Sequence, residues 1–291
     1  MDSVFFAQLV VNGVLSGATY AMAALGLALL FGILHRINFA HGALYMLAAY
    51  AVWFLQARQG LPYWASALLA FAVMAVVGVA FSDLAFLPTQ NRPSEHVILA
   101  TLSLAMVIES AVLLSAGATP REISTPLTSD AIIAGGIVLP AQRLLVLVAA
   151  ALSIAGLVAF LHFTSLGRAL RAVAQSREAS SMVGIDVRRI TRVATLLSTL
   201  LVSLAASTTA PLYDLYPDMG TEVILKSFAV VIMGGMGNIA GAVVCGVALG
   251  VAESFAGALA SAGARDAISF VLMLLVLILK PNGLLGTATR I

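Results

Sequence analysis

A chain of 291 residues that is 61% hydrophobic and only 10% charged, with a mean hydropathy of +1.06, lies outside the composition of soluble domains. The formal net charge of +2 gives no support to nucleic-acid binding, and the single cysteine, Cys245, excludes an internal disulfide. Several apolar runs exceed the ~18–20 residues a helix needs to cross a bilayer, so the chain reads as all-α, one polytopic transmembrane domain over residues 1–291.

In chain order the apolar segments fall at 5–32, 40–56, 62–87, 96–116, 143–163, 193–211, 222–257 and 264–280, which predicts about eight membrane segments. The start, MDSVFFAQLV, carries an acid and no basic residue, which argues against a cleaved signal peptide. After the first segment, Ile37-Asn38-Phe39-Ala40-His41-Gly42 interrupts apolar sequence with polar groups that are costly in lipid unless satisfied. Asn38 is expected to cap the next helix, with His41 in its first turn and Gly42 allowing a tight helix contact. The connection 118–142, with three prolines and two glycines, and the acidic 211–221 read as loops on a common face.

The run 222–257 would be about 54 Å long as one helix, against a ~30 Å hydrocarbon core, so a break is expected at Gly234-Gly235-Met236-Gly237-Asn238. Asn238-Ile239-Ala240-Gly241 echoes the Asn38–Gly42 interruption in kind, the pattern of an inverted repeat with a pathway between its halves. Lys226 is the only lysine before position 280 and follows Glu222 by four residues, a helical ion pair in its favourable order. As an intramembrane ion it is either a substrate contact or a charge neutralised by Glu222 or drawn to an interface. Glu109 and Glu253 are lone acids in apolar helices for which the sequence names no partner. Glycines spaced by four, Gly13/Gly17, Gly237/Gly241 and Gly246/Gly250, suit close helix packing within the chain.

The densest basic stretch is SLGRALRAVAQSREASSMVGIDVRRITR at 165–192, holding six of the fifteen basic residues. Arginines gathered between membrane-length segments mark a cytoplasmic loop, and counting back puts the N-terminus outside. The side of the C-terminus stays open, since Arg265 argues one way and Lys280 and Arg290 the other. Within the loop, helical spacing predicts short amphipathic helices. Ser176 is placed to cap the second, Glu178 to sit in its first turn and Gly184 to close it. Such a loop is a docking surface for a soluble partner or, more plainly, a segment that only fixes topology.

The pattern GRALRAVAQ-x-REA-x-x-MVGI resembles the coupling-helix loop of ABC importer permeases, most closely the branched-chain amino acid permease family. INFAHGALYML at 37–47, KSFAVVIMGGMGNIAGAVVCGVALGVAES at 226–254 and KPNGLLG at 280–286 extend the likeness along nearly the whole chain. The resemblance implies the permease subunit of an ATP-driven importer in the bacterial inner membrane. It implies a second permease subunit as a heterodimer partner, two cytoplasmic ATPase subunits and an external substrate-binding protein. Arg177, Glu178, Ala179 and Gly184 are then the ATPase-coupling residues. Asn38, His41, Gly42, Lys226, Gly235, Gly237 and Asn238 lie at the pathway or its helix break. The substrate would be a branched-chain or related amino acid, with urea or short amides an alternative within the family. No GK[ST] phosphate loop, metal signature or catalytic triad stands out, so no cofactor, metal or catalytic residue is expected, and the ATPase is a separate chain. The competing class is a self-sufficient secondary transporter or channel using Glu109, Lys226 and Glu253 as relay groups.

Overall fold

The computed structural model describes residues 3–127, 130–134 and 136–286. Helix dominates: α1 (Ser3–Leu34), α2 (His41–Gln59), α3 (Tyr63–Phe81), α4 (Ser94–Ala116), α5 (Ala141–Phe163), α6 (Ser165–Gln175), α7 (Arg177–Met182), α8 (Val187–Thr209), α9 (Met219–Gly234), α10 (Ile239–Leu259) and α11 (Ala262–Leu279). A wide π-type turn, Ser82–Phe86, and a final turn, Leu87–Thr89, extend α3. The all-α expectation holds but for one antiparallel hairpin, β1 (Ala131–Ala134) with β2 (Ile137–Pro140), in register Ala131↔Pro140 to Ala134↔Ile137. It lies in the connection expected to be a plain loop.

The expected eight membrane segments are corrected to six. Among the described residues, six helices are long and apolar enough to cross a membrane: 4–34, 63–89, 94–116, 141–163, 187–212 and 239–259. Helix α2 falls short because it carries His41, Gln56, Arg58 and Gln59 within 19 residues, and α9 because it has 16 residues, about 24 Å at 1.5 Å per residue.

Helix α1 is the centre of the bundle. It runs antiparallel to α10 along a seam of small residues, because the two backbones touch where side chains would separate them. A Cβ added to Gly17 would lie 2.5 Å from the Val247 Cα, and one on Gly250 would lie 2.2 Å from the Gly17 nitrogen. The four-residue glycine spacing thus serves packing within the chain. A second close approach joins the starts of α2 and α9, where a Cβ on Gly42 would lie 2.0 Å from the Gly220 carbonyl oxygen.

These contacts sort the connections into two ends. At one end the Gln8 side chain bonds the backbone of Val138 in β2, and Arg121 pairs with Leu215 through both backbone groups. At the other end Arg36 donates to Ser94 Oγ and the Arg92 carbonyl, both at 3.1 Å, and Arg177 reaches Gln90. The turn at 35–36, the turn at 90–94 and the arginine loop therefore share one end of the molecule. The segment 280–286 joins them: the Leu284 and Leu285 amides donate to the Met233 and Gly234 carbonyls.

Candidate functional site: a polar cavity and an exposed loop

A buried carboxylate organises the first region. Glu253, on α10, is 0% exposed, and groups from three other helices converge on it. From α1, the Tyr20 hydroxyl donates to Oε2; from α11, the Ser269 hydroxyl donates to Oε1. Lys226 Nζ, from α9, lies 3.3 Å from Oε1, and Arg265 Nε, from α11, lies 3.5 Å from Oε2. Both cations also donate to the Tyr20 oxygen at 3.3 Å. Four elements are thereby tied through one anion, which is costly to bury alone and tolerable when paired and hydrogen-bonded.

The Lys226–Glu222 pair expected from spacing is present at 3.6 Å, but it is the outer and weaker partner, with the Glu222 side chain 60% exposed. Lys226 is 9% exposed and turned inward to Glu253, so it does not escape to an interface. The Glu253 partners were missed because they come from positions 20, 226, 265 and 269, with no local spacing to announce them.

Above this cluster lies a cavity of about 420 Å³. Its lining holds the cations Lys226 and Arg265 and the acids Asp214 and Glu222, of which Glu222 is paired with Lys226. Tyr45, Tyr213 and Tyr216 supply aromatic surface. The Ser227 hydroxyl, also in the lining, is fully buried and has no hydrogen-bond partner.

Asn38, His41 and Gly42 are buried and stand outside this lining. The cap expected of Asn38 is corrected: its Oδ1 accepts from the Ala40 amide at 3.0 Å, an Asx turn ahead of α2. His41 Nε2 meets the Ala23 carbonyl at 2.8 Å, which locks the ring against α1.

The break at 234–238 falls where expected. Gly235 and Gly237 have φ of 99° and 85°, in the region that favours glycine, and Asn238 caps α10 by accepting from the Gly241 amide at 2.9 Å. Asn238 Nδ2 also donates to the Leu285 carbonyl at 2.6 Å, so the KPNGLLG stretch folds back over the break. Its two bonds predict that Asn238→Ala costs about 1–2 kcal/mol, read as a lowered thermal midpoint and faster protease cleavage after 280. An unchanged midpoint would show that the break holds itself. Asn38 and Asn238 thus bond their backbones differently, the first two residues on and the second three.

The second region is the arginine loop. Leu170 and Val173 of α6 are buried, while Arg168 and Arg171 face out. Thr164 caps α6, Ser176 caps α7 by accepting from the Ala179 amide at 3.2 Å, and Gly184 ends it with φ of 86°. These match the local signals. Arg177 turns inward: Nη2 donates to Gln90 Oε1 at 2.7 Å and Nη1 to the Gln90 carbonyl at 3.1 Å. Partial burial, and then the charge of nearby Arg36, lower its pKa below the ordinary arginine value. Glu178, Ala179 and Gly184 are exposed beside two apolar side chains, Met182 at 86% and Val183 at 78% exposure. The arginine tie was not singled out by spacing. Arg192 Nε to Asp83 at 2.7 Å adds a link from α8 to the turn after α3.

Six helices long and apolar enough to cross a membrane define a multi-pass membrane protein. The chain belongs to the family described as branched-chain amino acid transport system / permease component, whose profile matches residues 9–277. It is 31% identical to the high-affinity branched-chain amino acid transport system permease protein BraD of Pseudomonas aeruginosa, covering 97% of this chain and 96% of that protein. It is 28% identical to the corresponding permease protein LivH of Salmonella typhimurium, with the same coverage. A solved structure, PsaBC from Streptococcus pneumoniae in complex with Fab, aligns over 96% of this chain and 91% of that one at 13% identity and a TM-score of 0.46, too distant to carry an argument.

Proposed function

We propose that this chain is the membrane-spanning permease subunit of an ATP-driven importer that translocates branched-chain or related amino acids handed over by an external binding protein. In this reading residues 165–192 form a cytoplasmic coupling loop of a single permease domain in the bacterial inner membrane, with the N-terminus outside. Two cytoplasmic ATPase subunits and a second permease subunit complete the machine.

The observation that carries the reading is the α7 tip. Met182 and Val183 stand exposed on a capped helix beside Glu178 and Ala179, and exposed apolar side chains on a defined element mark a contact surface. Arg177 adds the mechanical half. Its two bonds to Gln90 fasten α7 to the end of the α3 extension, so a push on α7 moves a membrane helix. Arg177 therefore acts as a strut inside the subunit, while Glu178, Ala179 and Gly184 meet the motor.

Co-purification tests it. An ATPase subunit is expected to be retained with the wild-type chain and lost with Ala179→Arg or Met182→Asp. Arg177→Ala is expected to keep the ATPase bound while uncoupling ATP hydrolysis from uptake. Nucleotide-free transport by the chain alone in liposomes would contradict the proposal and favour a secondary carrier working through the Lys226–Glu253 cluster.

A further inference from the structure

We propose that the cleft between α1, α5, α10 and the 280–286 segment is a binding site for one anionic phospholipid, with an acyl chain between the helices and the phosphate at His35 and Lys280. The site requires the membrane-spanning fold alone and stands apart from the transport reading.

The cleft has a volume of about 900 Å³ and lies in the arginine-loop half of the bundle. Its walls change character along the helix axes. Ile154, Val158, Val243, Val244 and Leu277 make one part apolar, while His35, His162 and Asn282 make the other polar. On α5, Ile154 stands about two turns from His162, about 12 Å at 1.5 Å per residue, close to half of a ~30 Å hydrocarbon core. The apolar part is therefore about as deep as one leaflet, with the polar part at the level of its headgroups. Val158 and Val244, on two of the walls, are exposed on membrane-crossing helices, so the cleft opens sideways where lipid chains reach it and bulk water does not. A helix of a second subunit would be apolar along its whole crossing and leave the polar part without a partner. A phospholipid supplies tail and headgroup in the order the cleft does.

Charge selects an anionic headgroup. None of the described residues lining the cleft is acidic. Lys280 comes directly before the lining Pro281, and Arg168 and Arg171 face out from α6 at the same end, so the headgroup region is positive. His35 is the second, independent indication. Among the described residues it is the only non-glycine with a positive φ, 52°, at the position after α1 where glycine ends a helix without strain. Its amide closes the last turn on the Phe31 carbonyl at 2.8 Å, a bond glycine would make as well. A conformation the side chain makes costly points to a task for that side chain. The imidazole is exposed, lies edge-on to the Phe31 ring and makes no hydrogen bond among the described residues, so an N–H is available to a phosphate oxygen.

The test is native mass spectrometry of the full-length chain, extracted in mild detergent with the subunits that accompany it and exposed to phosphatidylglycerol or phosphatidylethanolamine of equal chain length. One phosphatidylglycerol is expected to stay bound, about tenfold more tightly than phosphatidylethanolamine. His35→Gly suits the backbone and is expected to keep the thermal midpoint while weakening phosphatidylglycerol several-fold, and Lys280→Gln to do the same. Val158→Trp, at an exposed position of the lining, is expected to displace either lipid. Equal retention of the two lipids, indifference to both His35→Gly and Lys280→Gln, or retention unchanged by Val158→Trp would overturn the assignment. So would a thiol cross-link from Val158→Cys to a second subunit in native membranes, since a protein then fills the cleft. Lipid binding with this dependence in a chain that imports nothing with ATP upholds the site and sinks the transport reading alone.

Discussion

Glu253→Ala is expected to destabilise the chain by about 3–5 kcal/mol, the cost of breaking a buried ion pair and leaving its partners uncompensated. The substitution takes from Lys226, which is 9% exposed, its buried ion pair, and takes the shared acceptor from Tyr20 and Ser269. It cuts the tie among α1, α9, α10 and α11 at once. Glu253→Gln retains a carbonyl oxygen for one hydroxyl and should fall between the wild type and alanine. Adding Lys226→Met to Glu253→Ala should recover part of the loss, because one of the charges deprived of its buried partner is then gone. The measurement is thermal unfolding in detergent, followed by the fraction remaining monodisperse. A midpoint for Glu253→Ala within a degree of wild type would mean that water reaches the cluster and the tie is weak.

Gly17→Leu should be comparably damaging. Its Cβ would sit 2.5 Å from the Val247 Cα and 2.8 Å from the Gly246 carbonyl oxygen, and neither backbone atom has anywhere to move without parting α1 from α10. Overpacking of a core by a few methylenes costs about 1–3 kcal/mol where side chains can yield; against two backbones the upper end or beyond is expected. Gly156 on α5 supplies the contrast, since a Cβ there meets nothing within 4 Å. Gly156→Ala should leave stability unchanged or raise it slightly through helix propensity. Equal tolerance of the two substitutions, judged by yield and midpoint of the purified chain, would show that the seam is looser than its distances imply.

What could be read from the residues divides along the range of the interaction. Ser176, Gly184 and the Gly235–Asn238 break are set by neighbours three or four residues away, and each appears where its local chemistry puts it. The glycine seam was half legible: the four-residue spacing marked close approach, and only the fold shows that Gly17 meets Gly250. The count of crossing helices fell at 40–56, because α2 opens on His41 and closes on Gln56, Arg58 and Gln59, polar groups that leave too short an apolar stretch between them. The β1–β2 hairpin escaped because two four-residue strands resemble any Ile- and Val-containing loop. Asn38 misled for another reason: the residue that caps helices also makes Asx turns, and which it does depends on the chain two residues on. The Glu253 cluster lay furthest out of reach, assembled from four separate helices.

The claim on which the functional account depends is that the exposed α7 tip touches a cytoplasmic motor, and site-directed labelling reads it directly. The one native cysteine, Cys245, is buried, so Cys245→Ala with Val183→Cys places a single reactive thiol on the tip. The account predicts that this thiol is silent to a membrane-impermeant maleimide in intact cells and reacts in inside-out vesicles stripped of the ATPase. It also predicts protection when the ATPase is restored. Labelling of Val183→Cys from outside intact cells, or labelling in vesicles that is indifferent to the ATPase, would contradict it.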